Sequence, residues 1–262
     1  MRILALVSSY RKKGNTARIV QMIEAQMKAV AARHNEVLEF ETLYLGHVDL
    51  QPCRGCRTCF DRGEEMCPLK DDLRAIKAQM DAADGIILAS PVYVNDVNGV
   101  AKNWMDRLAY VCHRPEFAGK CAYLVATVGG GPTSHTLRTM NMALHTWGFH
   151  IVGQAGYKMG ALMDQDEVET RHGFRSAYAE KTARVAEKLF QAISQLHFVR
   201  PSFLSLMMFK IQQLSWHPWT TRIGKNRAGL ILAGSSISRI GRAGSRWRWR
   251  GSPGLGDVGA RL

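Results

Sequence analysis

Short apolar runs alternate with longer stretches that are apolar on one face only, from residue 2 to about residue 196. Apolar runs of about four to eight residues predict buried strands, and the longer stretches predict amphipathic helices. Strands are expected at residues 3–7, 37–43, 85–90, 120–128 and 150–154. This alternation is typical of a parallel sheet that is covered by helices.

Helices are expected between these strands, and the first of them is the best defined. Between residues 15 and 33, apolar residues recur at helical spacing and form one stripe, made of Ile19, Val20, Ile23, Met27 and Val30. Further helices are predicted at residues 71–80, 99–111, 135–147 and 167–196. Five strands with intervening helices match the small doubly wound α/β design, whose ligand binds beyond the carboxyl ends of the strands where the strand order reverses.

The chain changes in composition after residue 197. Spaced apolar residues predict a helix over residues 198–219, and residues 220–262 are rich in Arg, Gly and Ser, which predicts disorder. The expected organisation is therefore one domain over residues 1–197, with a cysteine-rich insertion at about residues 51–70, followed by a helix and a basic tail.

The distribution of charge supports this division. The chain carries a formal net charge of +13, and eleven of its Lys and Arg residues lie after residue 197, where Asp257 is the only acidic residue. The last segment thus holds about +10 of the charge, and the preceding residues hold about +3. A nucleic-acid-binding domain carries its own basic face, so the core is not expected to bind nucleic acid. Binding of nucleic acid or of an anionic membrane by the tail is a separate hypothesis.

The apolar runs also bear on location. All of them are far shorter than the roughly 20 residues that a membrane-spanning helix needs, so no transmembrane span is expected. The apolar run after Met1 ends in serines and basic residues rather than in a small-residue cleavage site, which argues against a secretory signal. We therefore expect a cytoplasmic protein.

The loop after the first predicted strand, residues 8–16, has the chemistry of an anion site. This first loop, Ser-Ser-Tyr-Arg-Lys-Lys-Gly-Asn-Thr, leads into the first helix, which Asn15 or Thr16 is expected to cap. Amides at the start of a helix bind phosphate, the hydroxyl groups of Ser9 and Thr16 can donate to it, and Gly14 is expected to permit an unusual turn. No Lys follows Gly14, so a terminal monophosphate such as that of FMN suits the loop better than a triphosphate. A capped surface turn without a ligand is the alternative.

Further motifs follow this loop along the chain. After Ser9-x-Arg11-x-x-Gly14-Asn15-Thr16 come Asp71-Asp72, the run from Ala83 to Leu88, Ser90-Pro91-Val92-Tyr93, and Lys102 with Asp106-Arg107. In these motifs and their order, the chain resembles the flavodoxin-like NADPH-dependent FMN reductase family over about residues 2–196. The resemblance implies a flavodoxin-like fold, with a doubly wound five-stranded parallel sheet in the order 2-1-3-4-5 and helices on both faces.

The resemblance also implies where FMN binds. The isoalloxazine ring is expected between a second loop after the third strand, residues 91–97, and a third loop after the fourth strand, residues 127–132. The expected cofactor-binding residues lie in the three loops and are Ser9, Arg11, Gly14, Asn15, Thr16, Pro91, Val92, Tyr93, Asn95, Thr127, Gly129, Gly130 and Gly131. Tyr93 offers an aromatic face and the glycines offer backbone amides, although a Tyr taken alone is more often a packing residue.

The implied activity is an FMN-dependent NAD(P)H oxidoreductase that passes electrons to a small-molecule or protein acceptor. This chemistry requires no side-chain nucleophile, acid or base, so no catalytic residue is predicted. Similar proteins imply a homo-oligomer, either a dimer or a tetramer. The other polar residues are given roles outside catalysis: Asp71-Asp72 are expected to cap a helix, and Lys102, Asp106 and Arg107 are expected to serve a helix face or a subunit contact. Structural or surface positions are expected for His113, His135 and His145. A solvated loop or a second phosphate site, such as that of NADPH, is expected for Arg11, Lys12 and Lys13.

A compact group of cysteines forms the second candidate site. Cys53-x-x-Cys56-x-x-Cys59 and Cys67 hold four of the six cysteines of the chain. Soft thiolates at this spacing suit an iron–sulfur cluster, with zinc or free redox-active thiols as alternatives. The motif resembles that of the iron–sulfur flavoproteins, which implies a [4Fe-4S] cluster at these cysteines and, as an alternative function, a non-enzymatic electron carrier. The other two, Cys112 and Cys121, are expected to be ordinary buried cysteines.

Overall fold

The computed structural model describes residues 1–113, 116–160, 172–195 and residue 207. Its strands are β1 (Arg2–Val7), β2 (Glu39–Tyr44), β3 (Gly85–Tyr93), β4 (Asp96–Val97), β5 (Cys121–Val128) and β6 (His150–Lys158). Five of them are parallel neighbours in the order β2-β1-β3-β5-β6, whereas the short β4 pairs antiparallel with β3. With β4 set aside, this is the predicted order 2-1-3-4-5, and the predicted flavodoxin-like α/β sheet is confirmed.

The helices connect these strands and cover the sheet. They are α1 (Asn15–Arg33), α2 (Thr58–Asp61), α3 (Leu73–Ala82), α4 (Gly99–Arg107), α5 (Ser134–Thr146) and α6 (His172–Gln195). Three short 3-10 turns, Leu45–His47, Glu64–Met66 and Ala109–His113, lie in the connections. The cysteine segment, residues 51–70, lies between β2 and α3.

The sheet is buried on both faces, as expected for parallel strands. On β1, Leu4 and Leu6 belong to one apolar core that also includes residues of α3, α4 and α5. Ile3, Ala5 and Val7 face the opposite side and belong to a second core with residues of α1 and α6. Burial of a large apolar side chain contributes about 1.5–3 kcal/mol, so the two cores fix the strand ends from which the candidate site is built.

The observed elements depart from the predicted ones mainly at their ends. The helix predicted over residues 99–111 ends at Arg107, and a 3-10 turn follows. Tyr110 and Val111 of this turn are buried, so the apolar spacing does not reveal the change. The last strand extends to Lys158, beyond the predicted end at residue 154. The predicted strand is too short because Gly153 and Gly156 interrupt the apolar pattern. The second strand and the third helix begin two residues later than predicted, at Glu39 and Leu73.

Several predictions concern parts of the chain outside the described residues. These are the first residues of the helix predicted at 167–196, the helix predicted at 198–219 apart from residue 207, and the basic tail at 220–262. In the part of the chain that the structure describes, no helix is long and apolar enough to cross a membrane.

Candidate functional site

Three loops meet at one edge of the sheet. The first loop follows β1, the second loop includes the end of β3 together with β4, and the third loop follows β5. Because β1, β3 and β5 are adjacent parallel strands, their carboxyl ends lie side by side. The structure therefore brings all the predicted cofactor-binding residues, from Ser9 to Gly131, to this one edge.

The first loop is held by its own hydrogen bonds. The Gly14 amide donates to the Arg11 carbonyl at 3.1 Å, and the Arg11 amide donates to Ser9 Oγ, also at 3.1 Å. Gly14 has an ordinary extended backbone with φ −77°, so the prediction that it permits an unusual turn is wrong. A Cβ atom at Gly14 would instead lie 3.0 Å from Arg11 Cβ and 3.2 Å from the Arg11 carbonyl oxygen, so lack of space is what favours glycine here.

Helix α1 begins without a side-chain cap. Gly14 is the N-cap residue, neither Asn15 nor Thr16 caps the helix, and the first turn contains no acidic residue, so the predicted capping is wrong. The first amides of any helix lack a partner within the helix. Uncapped amides and the positive end of the helix dipole together form a place where an anion is stabilised.

Two buried side-chain contacts hold the first loop in place. The hydroxyl groups of Thr16 and Thr127 are hydrogen-bonded at 2.7 Å and tie the start of α1 to the end of β5. Asn98 Nδ2 donates to the Ser8 carbonyl at 2.7 Å and ties the first loop to the start of α4. Sequence reasoning selected both threonines but not their contact, and it missed Asn98. An Asn directly before a predicted helix start was the available signal.

The second loop is a tight hairpin that was not predicted. Tyr93 pairs with Asp96 across a two-residue turn in which Val94 and Asn95 both have left-handed backbones, with φ +50° and +62°. Tyr93 is 52% exposed, so it is not a core packing residue. The exposed His135 lies with Nδ1 3.6 Å from Asp96 Oδ1, at the base of this hairpin.

Val94 is a strained position whose replacement is expected to stabilise the fold. A β-branched residue is disfavoured at positive φ, whereas Asn adopts this region readily, and the Val94 side chain is 98% exposed, so little packing is lost. We expect Val94→Asn to raise the free energy of unfolding by about 1 kcal/mol, as measured by urea denaturation. Val37→Asn, at another exposed valine with no positive φ, serves as the control. Equal effects of the two substitutions would contradict a strained hairpin.

The third loop leaves open space beside its backbone. A Cβ atom at Gly130 or Gly131 would meet no atom within 4 Å among the described residues, and Gly131 has a left-handed φ of +100°. Gly129 is more confined, because its Cβ would lie 3.1 Å from the Gly160 carbonyl oxygen. Gly130 and Gly131 therefore offer backbone groups to a ligand without a side chain in the way.

The cysteine segment borders a cavity. Cys53 and Cys56 are exposed, Cys59 and Cys67 are half-buried, and all four line a cavity of about 830 Å³. Burial raises the pKa of Cys59, and the proximity of Cys67, Cys53 and Cys56 raises it further. A hydrogen bond with the Thr58 hydroxyl lowers the pKa of Cys56.

The thiols are nevertheless not gathered around one point. Within residues 1–113, 116–160 and 172–195, no group of three or more His, Cys, Asp or Glu side chains is arranged to hold a metal ion. The predicted metal site at the four cysteines is thus not confirmed by this arrangement. The buried environment predicted for the remaining cysteines holds for Cys121, whereas Cys112 is only half-buried.

All three loops lie within the part of the chain that matches a known protein family. The sequence model of the NADPH-dependent FMN reductase family matches residues 1–161. The chain belongs to this family. The predicted resemblance is thereby confirmed, and the chain is an FMN-dependent oxidoreductase.

The relatives of this FMN reductase family member include iron–sulfur flavoproteins. One from Archaeoglobus fulgidus is 29% identical over 206 residues, which cover 77% of this chain and 84% of that protein. Another, from Methanosarcina thermophila, is 29% identical over 174 residues, covering 65% and 86%. The crystal structure of an NADH:FMN oxidoreductase matches with a TM-score of 0.52 at 19% identity and covers 74% of this chain and 90% of that one, which supports the fold.

Two motif residues of this FMN reductase family member have a role other than the predicted one. Asp71 and Arg107 form a buried ion pair, with side chains only 1% and 2% exposed, so Arg107 does not serve an outer helix face. Arg107 also donates to the Gln51 carbonyl at 2.7 Å and approaches Cys67 Sγ at 3.9 Å. The Asp71–Arg107 ion pair thus anchors both ends of the cysteine segment.

Asp72 does not cap α3, because its carboxylate accepts from the Asp49 amide at 2.8 Å. Asp71 accepts from the first amide of that helix, at 3.3 Å.

The Asp71–Arg107 ion pair predicts a loss of stability in acid. Burial alone would raise the pKa of Asp71, but hydrogen bonds from Arg107 and two backbone amides outweigh it and hold the pKa below its usual value. A carboxyl group with a lowered pKa stabilises the fold above its unfolded value of about 3.9, and this contribution is lost as the pH falls toward the lowered pKa. We expect the stability difference between the natural chain and Asp71→Asn to shrink from about pH 5 downward in urea denaturation. A difference that does not vary with pH would contradict the assignment.

Proposed function

We propose that the chain binds FMN at the carboxyl edge of the sheet and catalyses the oxidation of NAD(P)H with transfer of electrons to an acceptor. In this proposal Ser9, Arg11, Gly14, Asn15 and Thr16 hold the phosphate. The ring lies between the second and third loops, next to Pro91, Val92, Tyr93, Asn95, Thr127, Gly129, Gly130 and Gly131. Family membership supports the FMN chemistry, and the arrangement of the loops supports this placement.

The observation that carries the proposal is the uncapped start of α1 in a loop that is already ordered. The first turn has no acidic residue and no side-chain cap, so its amides are available to a phosphate. The hydrogen bond of Thr16 with Thr127 holds the start of the helix against β5, beside the third loop. The backbone donors at this place therefore suit a phosphate group.

The remaining two loops suit a planar ring. Tyr93 presents an aromatic side chain that is half-exposed at the end of β3, and Gly130 and Gly131 leave space beside the end of β5. When bound, FMN supplies reversible hydride and electron transfer between NAD(P)H and an acceptor. The protein binds and orients the cofactor, and no side chain is assigned a proton-transfer step.

Binding and turnover test this proposal. FMN is titrated into the cofactor-free chain by fluorescence quenching, and oxidation of NADPH and NADH is then followed with quinone, flavin and dye acceptors. We expect saturable FMN binding and an oxidation rate that requires FMN. Absence of both flavin binding and FMN-dependent NAD(P)H oxidation would overturn the proposal.

A second candidate function is that of an electron carrier which combines FMN with an iron–sulfur cluster. It is favoured by the four cysteines, which all line one cavity. Four thiolates are the donor set that a [4Fe-4S] cluster requires. Residues 51–57, which carry Cys53 and Cys56, form no helix or strand. The donor chemistry thus suits the cluster, whereas the present arrangement does not form a closed site.

Anaerobic purification with iron, sulfide, zinc and FMN analysis separates these candidates. A carrier is expected to contain about four iron and four sulfide per chain, to lose them in Cys67→Ser but not in Cys112→Ser, and to react slowly with NAD(P)H. Zinc at these cysteines, or no metal in the anaerobic protein, would remove the carrier hypothesis and leave the oxidoreductase proposal intact.

A further inference from the structure

We propose that Asn98 is a positioning residue for the phosphate-binding first loop. It is not one of the predicted cofactor-binding residues. The inference rests on the proposed FMN site and adds the residue that sets the shape of its phosphate end. Asn98 is 3% exposed and lies directly before α4, so it acts from behind the loop rather than by touching a ligand.

All the polar groups of Asn98 have defined partners, including its carbonyl, which accepts from the Lys102 amide at 3.0 Å. Its side-chain Nδ2 donates to the Ser8 carbonyl at 2.7 Å, and its Oδ1 accepts from the Ala101 amide at 3.1 Å. Its own amide donates to Ser90 Oγ at 3.4 Å. The orientation of the side-chain amide is unambiguous, because the Ser8 carbonyl can only accept and the Ala101 amide can only donate. One residue thus connects the ends of β1 and β3 with the start of α4.

The contact with Ser8 controls the direction of the next peptide group. The Ser8 amide donates to the Ala89 carbonyl at 2.9 Å, so both polar backbone groups of Ser8 are fixed. In a planar trans peptide, the carbonyl of one residue and the amide of the next point in opposite directions. Holding the Ser8 carbonyl therefore turns the Ser9 amide away from Asn98. Among the hydrogen bonds of the described residues, none uses this amide as a donor.

Capping of α4 does not require this contact. An N-cap needs only a side-chain oxygen, and Ser or Asp serves as well as Asn. The amide donor is what distinguishes Asn, and here it is directed at the loop. Capping and loop positioning can therefore be separated by substitution.

The test compares FMN with riboflavin, which lacks the phosphate. Asn98→Ser introduces an uncharged side chain that keeps a capping oxygen but is too short to reach the Ser8 carbonyl. Asn98→Asp keeps the size of the side chain and the capping oxygen but replaces the donor with an acceptor. For both variants we expect FMN affinity to fall by about tenfold or more and riboflavin affinity to change by less than about threefold, because a hydrogen bond that orders only the phosphate end is lost. Thermal unfolding of the cofactor-free variants verifies that they fold.

Asn103→Ser and Asn103→Asp are the matched controls. Asn103 lies on the same helix, but its side chain holds the cysteine segment by donating to the Leu50 carbonyl at 2.9 Å and accepting from the Cys53 amide at 3.2 Å. The ratio of FMN to riboflavin affinity is expected to stay unchanged in these controls. If the natural chain prefers FMN and the Asn98 variants keep that preference, or lose both ligands equally, the role of Asn98 is overturned while the FMN site stands. If the natural chain binds no FMN, both proposals fall.

Discussion

Replacement of Asp71 by asparagine is expected to lower the free energy of unfolding by about 3–5 kcal/mol. Asparagine has nearly the same shape, but it leaves the Arg107 guanidinium buried without a counter-charge. Removal of one partner from a buried ion pair is far more costly than the pair itself is stabilising, because the remaining charge is not solvated. Guanidinium chloride denaturation at neutral pH measures this loss.

An exposed ion pair on α4, the helix that carries Arg107, is the control for this prediction. Lys102 and Asp106 form an ion pair one turn apart, with both side chains about half-exposed. Asp106→Asn is expected to change stability by about 0.5 kcal/mol or less, since exposed pairs contribute little. The double variant Asp71→Asn with Arg107→Gln removes both buried charges and is expected to be more stable than Asp71→Asn alone. If Asp71→Asn is as mild as Asp106→Asn, the buried pair has been misassigned.

Asn15→Asp is expected to affect stability and FMN affinity in opposite directions. A carboxylate in the uncapped first turn of α1 interacts favourably with the helix dipole and raises the stability of the cofactor-free protein by about 0.3–1 kcal/mol. The same charge repels the phosphate of FMN. For charges about 6 Å apart and an effective dielectric constant of about 40, a dianion is repelled by about 3 kcal/mol, which weakens FMN binding by roughly 100-fold.

A substitution at the other end of the helix separates local charge from general effects. Asn35 follows α1 and is exposed, so Asn35→Asp introduces the same charge about 30 Å away. FMN affinity is measured by titration and stability by thermal unfolding of the cofactor-free chains. FMN affinity is expected to be unchanged in Asn35→Asp. Equal weakening in both variants, or none in Asn15→Asp, would show that the phosphate does not bind at the start of α1.

The sheet and the loops were predictable because they follow from local patterns. Apolar runs such as residues 85–90 indicate buried strands wherever they occur, and the topology of parallel strands then brings their carboxyl ends together. The first loop was recognised from residue types and their order. Its details were not: Gly14 is required for space rather than for an unusual φ, and neither Asn15 nor Thr16 caps the helix.

What was not predictable depends on contacts between distant residues. Asn98 bonds to Ser8, ninety positions away, and Arg107 bonds to Asp71, thirty-six positions away. A charged residue at the end of an amphipathic helix is usually solvated, so nothing in the local sequence indicates that Arg107 is buried. The hairpin at Val94 was missed for another reason, because its turn lacks the Asn-Gly or Asp-Gly pair that usually marks such a turn.

A crystal structure of the chain with bound FMN would locate the cofactor directly. We expect the phosphate at the first loop, in contact with the amides at the start of α1, and the ring between Tyr93 and Gly130. FMN bound in the cavity beside the cysteine segment, or with its phosphate away from residues 9–16, would contradict this placement.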